Sequence, residues 1–187
     1  GVGGRAYGGV AITQKLVDAF AMDTEHGGRY PITGYQADGS PVIDPQSGYD
    51  ESGFTSFTHP ILGSTKSTYN MYLNREPRFY ACIGFDRGTF EIDGTTITLK
   101  LRGGELHGST LKETDEYQSC TGYVCQKWIS RTSYYDKSLN TYTYTRYAYP
   151  YLRLAELYLS YAEADFEYNG SLSGKSLEYI NRVRRRC

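Results

Sequence analysis

The sequence predicts a protein of the α+β class, mainly α, and two patterns carry that expectation. The first is a paired amphipathic stretch over 150–186, where Leu152, Ala155, Leu159, Ala162 and Phe166 recur at steps of three and four. The second is a run of short alternating segments between 79 and 147, set among Gly-rich turns. At 187 residues the chain is long enough for one domain with a core, or for part of a larger one. The composition divides into a loop-rich region with short strands over 13–149 and a helical hairpin over 150–186.

Taken in order, Thr13 to Phe20 predicts a short helix with Thr13 as N-cap and Leu16, Val17 and Phe20 on its inner face. Asp23 to Ser67 reads as a long irregular stretch punctuated by Gly27-Gly28, Pro31, Gly39, Pro41 and Gly48. Tyr30, Tyr35, Tyr49, Phe54 and Phe57 recur through it, and a disordered linker is poorer in aromatics. An ordered loop packed on the body is therefore expected. Phe79, Ala81, Ile83 and Phe85 alternate with Tyr80, Cys82 and Gly84 as in a half-buried strand. Asp93-Gly94 marks a turn, with Ile97, Leu99 and Leu101 alternating after it. Gly122 to Ile129 is strand-like, and Tyr142, Tyr144 and Tyr147 continue the alternation toward the hairpin. In the hairpin, Arg153, Glu156, Ser160, Glu163 and Glu167 form a wholly polar stripe opposite the apolar one. Asn169-Gly170 supplies the turn, and Asn169-Gly170-Ser171 also fits a glycosylation acceptor. Ser173 is the expected N-cap of the second helix, whose apolar contacts are Leu177, Ile180 and Val183.

Charge and motif content exclude several classes. A formal net charge of −1 and a pI near 6.4 give no electrostatic basis for binding nucleic acid or an anionic membrane. No apolar run approaches the ~20 residues that span a bilayer, and Gly1 to Gly9 carry neither a basic n-region nor an apolar h-region. Gly-x-Ser-x-Gly, His-Glu-x-x-His and P-loop motifs do not occur, and the Gly-rich start lacks the preceding strand a nucleotide loop needs. His26, His59 and His107 sit in Gly-rich segments and read as solvent-exposed loop residues. The cysteines Cys82, Cys120, Cys125 and Cys187 form no C-x-x-C pair, so neither metal nor cofactor is expected. Cys120 and Cys125 fit either a bridge across a short turn or free thiols. Twenty Tyr beside one Trp fit a recognition surface for sugars or proteins, or equally strands covered by tyrosine.

Four segments, in one order, resemble a single family. Thr13-Gln14-Lys15-Leu16-Val17-Asp18-Ala19-Phe20 resembles its T-Q-E-L-V-D-A-F helix, and Asn74-Arg75-Glu76-Pro77-Arg78-Phe79 its N-R-D-P-R-F turn. Thr121-Gly122-Tyr123 to Lys127 resembles T-G-Y-x-x-x-K, and Leu152 to Ala164 with Tyr179 to Arg184 resembles R-L-A-E-V-Y-L-N-Y-A-E-A … Y-I-N-x-V-R. That is the RagB/SusD family of outer-membrane nutrient-binding lipoproteins. Lys15 and Glu76 depart from the family's pattern. The resemblance implies a SusD-like fold in which 150–186 is a tetratricopeptide-type helical hairpin and the chain is a C-terminal-half fragment. It further implies non-catalytic capture of glycans at the extracellular face of the outer membrane. Delivery would be to a SusC-like TonB-dependent transporter, with the membrane contacted only through a lipid anchor absent from this fragment.

No ligand motif of the family transfers to numbered positions, so candidate residues come from the aromatic loop. Tyr30, Tyr35 and Tyr49 would stack on the apolar faces of sugar rings, with Arg29 or Asp50 as polar partner. Trp128 sits in a strand-like motif and reads as packing. Arg75 and Arg78 are expected to hold their turn by pairing with carboxylates or carbonyls. The alternatives are a peptide- or protein-binding member of the same family, a helical-repeat interaction domain and, third, a glycosidase.

Overall fold

The computed structural model describes residues 11–92, 94–105, 119–127, 130, 132–136, 138–139, 141–143, 145 and 150–185. Trp128, His107, Tyr144, Tyr147 and Cys187 therefore lie outside the described residues. The chain divides into two compact units, Gly1–Thr145 and Arg146–Cys187.

The first unit opens on α1 (Gln14–Asp18), started by the Thr13 hydroxyl, which accepts from the Leu16 N–H at 3.3 Å. Val17 is fully buried and Phe20 half-buried, but Leu16 is exposed. A five-residue helix offers too narrow a face to bury all three. The expected irregular stretch after it is ordered and holds two antiparallel ribbons. They are β1 (Ile32–Tyr35) with β2 (Pro41–Ile43), and β3 (Phe54–Thr58) with β4 (Thr65–Tyr69). The alternation at 79–85 divides between α2 (Pro77–Cys82) and β5 (Ile83–Phe85). Pro77 in the first helical turn favours helix there, because its fixed φ suits that position and its missing N–H has no partner to lose. Phe79 and Tyr80 on α2 and Ile83 at the start of β5 are then all buried in the core.

After the Gly94 turn (φ 64°), β6 (Thr89–Ile92) pairs with β7 (Thr95–Thr98), and Leu99 and Leu101 continue inward beyond the strand. Of the strand expected at 122–129, the described residues 122–127 form only β8 (Tyr123–Cys125), paired antiparallel with β5, Ile83 opposite Cys125. The last ribbon of this unit is β9 (Tyr134–Asp136) with β10 (Thr141–Thr143). Every sheet among the described residues is thus a two-stranded antiparallel ribbon. Strands and helices hold nearly equal shares of the described residues, so the fold is mixed α/β and not mainly α. The excess of ribbon lies in the Gly- and Pro-punctuated stretch, where three- to five-residue strands leave little period to read.

Aromatic rings bind the first unit's core. Tyr72, Phe79, Tyr80 and Phe85 pack with Val17, Ile12, Ile83 and Tyr123, and the Tyr72 and Phe85 centroids lie 4.6 Å apart. Gly84 lets β5 press against Leu99: a Cβ there would meet Leu99 Cδ1 at 2.9 Å. Arg75 is buried at the same centre, 1% exposed. Its Nη2 donates to the carbonyls of Val17 (2.7 Å) and Phe20 (2.8 Å), and its Nη1 to Met71 (3.3 Å). The carbonyls at the C-terminal end of α1 carry its negative partial charge, and a guanidinium answers them. Arg78 grips Glu76 at 2.6 Å. Both arginines therefore hold the turn as the sequence suggests. His59, expected on the surface, is buried, its Nδ1 accepting from the Ile61 and Leu62 N–H groups and its ring against Tyr80. Cys82, Cys120 and Cys125 are free thiols, so the possible 120–125 bridge is not formed.

The second unit holds α3 (Leu154–Asn169) and α4 (Gly174–Arg184). Gly170 ends α3 in the left-handed conformation (φ 65°), its N–H returning to the Phe166 carbonyl at 2.8 Å. Ser173 caps α4 as expected. The two helices meet along Tyr158, Ala162 and Asp165, spaced i, i+4, i+7. Tyr158 stacks on Tyr179 at 4.4 Å, Ala162 and Ser176 are buried, and Asp165 takes the Ser173 N–H at 2.8 Å and the Ser176 hydroxyl. Of the expected apolar stripe, Ala162 is buried at the seam and Ala155 is half-buried, whereas Leu152, Leu159 and Phe166, with Leu177 of α4, are exposed. An aromatic stack plus a carboxylate cap holds these helices, and the leucines of α3 face outward.

Candidate functional site

The tyrosine loop is built on the β1–β2 ribbon and the segment that follows it. Tyr30 precedes β1 and exposes 57% of its surface; Tyr35 ends β1 and exposes 42%. Arg29 Nε donates to Asp44 Oδ2 at 2.7 Å, which ties the two ends of the ribbon and lowers the Asp44 pKa. The Pro31 carbonyl takes the Asp44 N–H beside it at 2.8 Å. Asp50 lies on the next segment, accepting from the Ser52 N–H (2.8 Å) and hydroxyl (2.7 Å) and from Asn70 Nδ2 (3.0 Å). These donors hold its carboxyl below the usual range, so it stays an anion.

Tyr35 and Tyr49 both turn toward one buried charged centre. The Tyr35 hydroxyl donates to Asp18 Oδ2 at 2.7 Å, and that bond to a carboxylate, with slight burial behind it, pushes its pKa up to about 12. Tyr49 is half-buried, its hydroxyl on Glu51 Oε1 at 2.9 Å and its ring 5.4 Å from the Arg75 guanidinium. Burial first, and then Glu51, raise its pKa, while Arg75 pulls the other way. Tyr49 is therefore as much a lid over Arg75 as a free surface. Among the described residues no hydrogen bond joins the Tyr30 side chain to the other four candidates. The loop thus presents two open rings, Tyr30 and Tyr35, with Arg29 and Asp50 already engaged.

The sequence alone did not reveal what stands behind these rings. Asp18 is 5% exposed and accepts from Gln14 Nε2 at 2.7 Å on its other oxygen, while Gln14 Oε1 accepts from the Tyr123 hydroxyl at 2.6 Å. The i, i+4 spacing of Gln14 and Asp18 on α1 was the one visible trace. A further open ring is Phe54, 49% exposed on β3, with the Arg102 guanidinium 5.3 Å from its centroid. The enclosed space nearby, lined by Phe57, Lys66, Phe85 and Arg87, measures only about 10 Å³. That is room for about one water, so this space takes no sugar. Among the described residues no three His, Cys, Asp or Glu side chains are grouped to hold a metal ion.

Comparisons with known proteins agree with this architecture. The family model described as "SusD family" matches residues 1–187. Comparison with curated proteins gives no match. Among solved structures, the selenomethionine form of BT4246, a SusD-like protein from Bacteroides, is 27% identical with a TM-score of 0.67, over 96% of this chain and 28% of that one. A second structure of BT4246 is 26% identical with a TM-score of 0.66, over 96% and 27%. The chain therefore spans little more than a quarter of the length of these relatives.

Proposed function

Because the chain belongs to the SusD family, we propose that it takes part in non-catalytic capture of glycans or oligosaccharides at the cell surface. The full-length protein then passes them to a SusC-like TonB-dependent transporter of the outer membrane, to which it is held by a lipid anchor. In this reading α3 and α4 form a tetratricopeptide-type hairpin that belongs to the scaffold.

The observation that carries the binding proposal is the pair of open rings, Tyr30 and Tyr35, on a ribbon pinned at both ends. A flat ring with an apolar face and restricted motion suits the C–H face of a pyranose, and rigidity lowers the entropy lost on binding. Arg29 and Asp50 offer remaining hydrogen-bonding capacity at the rim, and Tyr49 shapes the floor between loop and core. The family is one of nutrient binding, which supports a site that holds and releases without bond cleavage.

A glycan array probed with the full-length protein tests this reading, with a peptide library as comparison. Tyr30→Ala and Tyr35→Ala are each expected to weaken the strongest array hit about five- to tenfold, the scale of one lost aromatic contact of about 1 kcal/mol. Retention of peptides and of no glycan would sink the glycan reading. Hydrolysis of a bound oligosaccharide would sink the non-catalytic one.

A further inference from the structure

We propose that Asp18 is a positioning residue for Tyr35, fixing from inside the core the direction in which that ring meets a ligand. The inference rests on the tyrosine loop being the ligand surface, and it adds a residue that the loop itself does not contain.

The argument begins with the burial of Asp18. A carboxylate with 5% exposure must satisfy its oxygens within the protein. Each oxygen has one donor from a different direction. Oδ2 accepts from the Tyr35 hydroxyl at 2.7 Å, and Oδ1 from the Gln14 amide at 2.7 Å. Gln14 in turn accepts from the Tyr123 hydroxyl at 2.6 Å. Because a carboxylate only accepts, the direction of every bond is set: Tyr123 donates to Gln14, and Gln14 and Tyr35 donate to Asp18. The relay ties β1 to α1 and α1 to β8, whose Tyr123 belongs to the aromatic core.

Among the described residues, the other charged groups of this centre and the other neighbours of Tyr35 do not do this. Lys15 Nζ lies 5.9 Å from its ring centroid, on a flexible exposed stem that leaves the ring's direction open. Arg75 spends its guanidinium on three carbonyls. The cross-strand partner of Tyr35 is Pro41, whose ring does not reach for a hydroxyl. An exposed tyrosine at a strand end is otherwise free to turn about its χ angles. A charge-assisted bond to a buried, doubly held acceptor removes that freedom, and a preorganised ring loses less entropy when it binds.

The test uses the full-length protein and two variants. The phenolate absorbance of the wild type minus that of Tyr35→Phe isolates one phenol; the same subtraction on an Asp18→Asn background isolates it without its acceptor. At pH 10, where an ordinary tyrosine is about half ionised, Tyr35 stays protonated in the wild type and is about half ionised in Asp18→Asn. Equal ionisation in the two backgrounds overturns the proposal. Tyr35→Phe removes only the hydroxyl that Asp18 holds and keeps the ring, so it reads positioning even where Asp18→Asn folds poorly. It should weaken the array's strongest oligosaccharide about fivefold, close to the loss in Tyr35→Ala. Wild-type affinity in Tyr35→Phe beside a loss in Tyr35→Ala means that the ring needs no anchor, and overturns the proposal alone. Wild-type affinity in both overturns the ligand surface itself, and the positioning role with it.

Discussion

Replacing Arg75 by Met keeps a long side chain among Tyr49 and Phe79 but removes the cation that joins α1 to the turn before α2. Three bonds disappear, to Val17 O at 2.7 Å, Phe20 O at 2.8 Å and Met71 O at 3.3 Å. Hydrogen bonds to a charged group contribute about 1.5–3 kcal/mol each, and the two short ones carry most of the effect. The Val17 carbonyl keeps the Phe20 N–H at 3.2 Å. Among the described residues the Phe20 carbonyl keeps no other donor, at about 1–3 kcal/mol for a buried acceptor left unpaired. Against these stands the cost of dehydrating the guanidinium, which burial exacts in the native protein and which also lowers its pKa. We therefore expect a net loss of about 3 kcal/mol. Urea unfolding should read it as a midpoint shift of about 1.5 M for a slope near 2 kcal/mol/M, with the slope unchanged. Arg75→Lys should recover little, since one ammonium cannot reproduce the fork that reaches three carbonyls. A loss below about 1 kcal/mol, or a gain, would mean that a hydrophobic isostere serves as well there and that Arg75 does not hold the turn.

Asp165 accepts from Ser176, Ser173 and Asn169, which hold its carboxyl well below the usual range, Ser176 foremost. A depressed folded-state pKa adds stability above the ordinary carboxylate value of about 4 and loses it as pH falls through the folded value. Far-ultraviolet circular dichroism should thus show the α3–α4 helices weakening only in strong acid. Asp165→Asn should abolish that acid dependence and weaken the pair at neutral pH; an unchanged acid profile counts against the cap. Gly84→Ala drives a Cβ to 2.9 Å from Leu99 Cδ1 and 3.3 Å from Val124 Cβ, and should cost about 1–3 kcal/mol by overpacking. Leu99→Ala in the same chain should relieve part of that cost, and strictly additive losses would show that the clash is relaxed elsewhere.

What the sequence made legible is what local spacing encodes. The Thr13 and Ser173 caps, the Gly170 stop and the Arg78–Glu76 pair rest on residues within a few positions of one another. Arg75 was readable as a turn holder, but its two short bonds, which reach back to Val17 and Phe20, were not. Residues 79–85 misled because Phe79, Ala81, Ile83 and Phe85 satisfy a period of two, whereas the backbone is helical through Cys82 and extended only from Ile83. Pro77 decides between them, and its weight shows only beside a three-dimensional partner for the strand. The apolar stripe of α3 misled for a different reason: periodicity marks a face but not its cover, and the stack of Tyr158 on Tyr179 had no period to announce it. In the candidate site the exposed tyrosines were readable from composition. Asp18 was not, because its bond to Tyr35 crosses 17 residues and the relay beyond it crosses 109.

The pairing of β5 with β8 bears on how this chain reaches its fold. The β1–β2, β3–β4 and β6–β7 ribbons close over short turns, whereas Ile83 meets Cys125 only after the whole of β6, β7 and the sequence beyond them has been made. Contacts of such separation form late and slow folding, since loop entropy is lost before any contact repays it. Local ribbons and the aromatic cluster of α2 should therefore assemble first, with β8 closing the unit. A change that frays the three-residue pairing of β5 with β8, as a substitution at Gly84 or Tyr123 would, should therefore forfeit the closure that the local ribbons do not need.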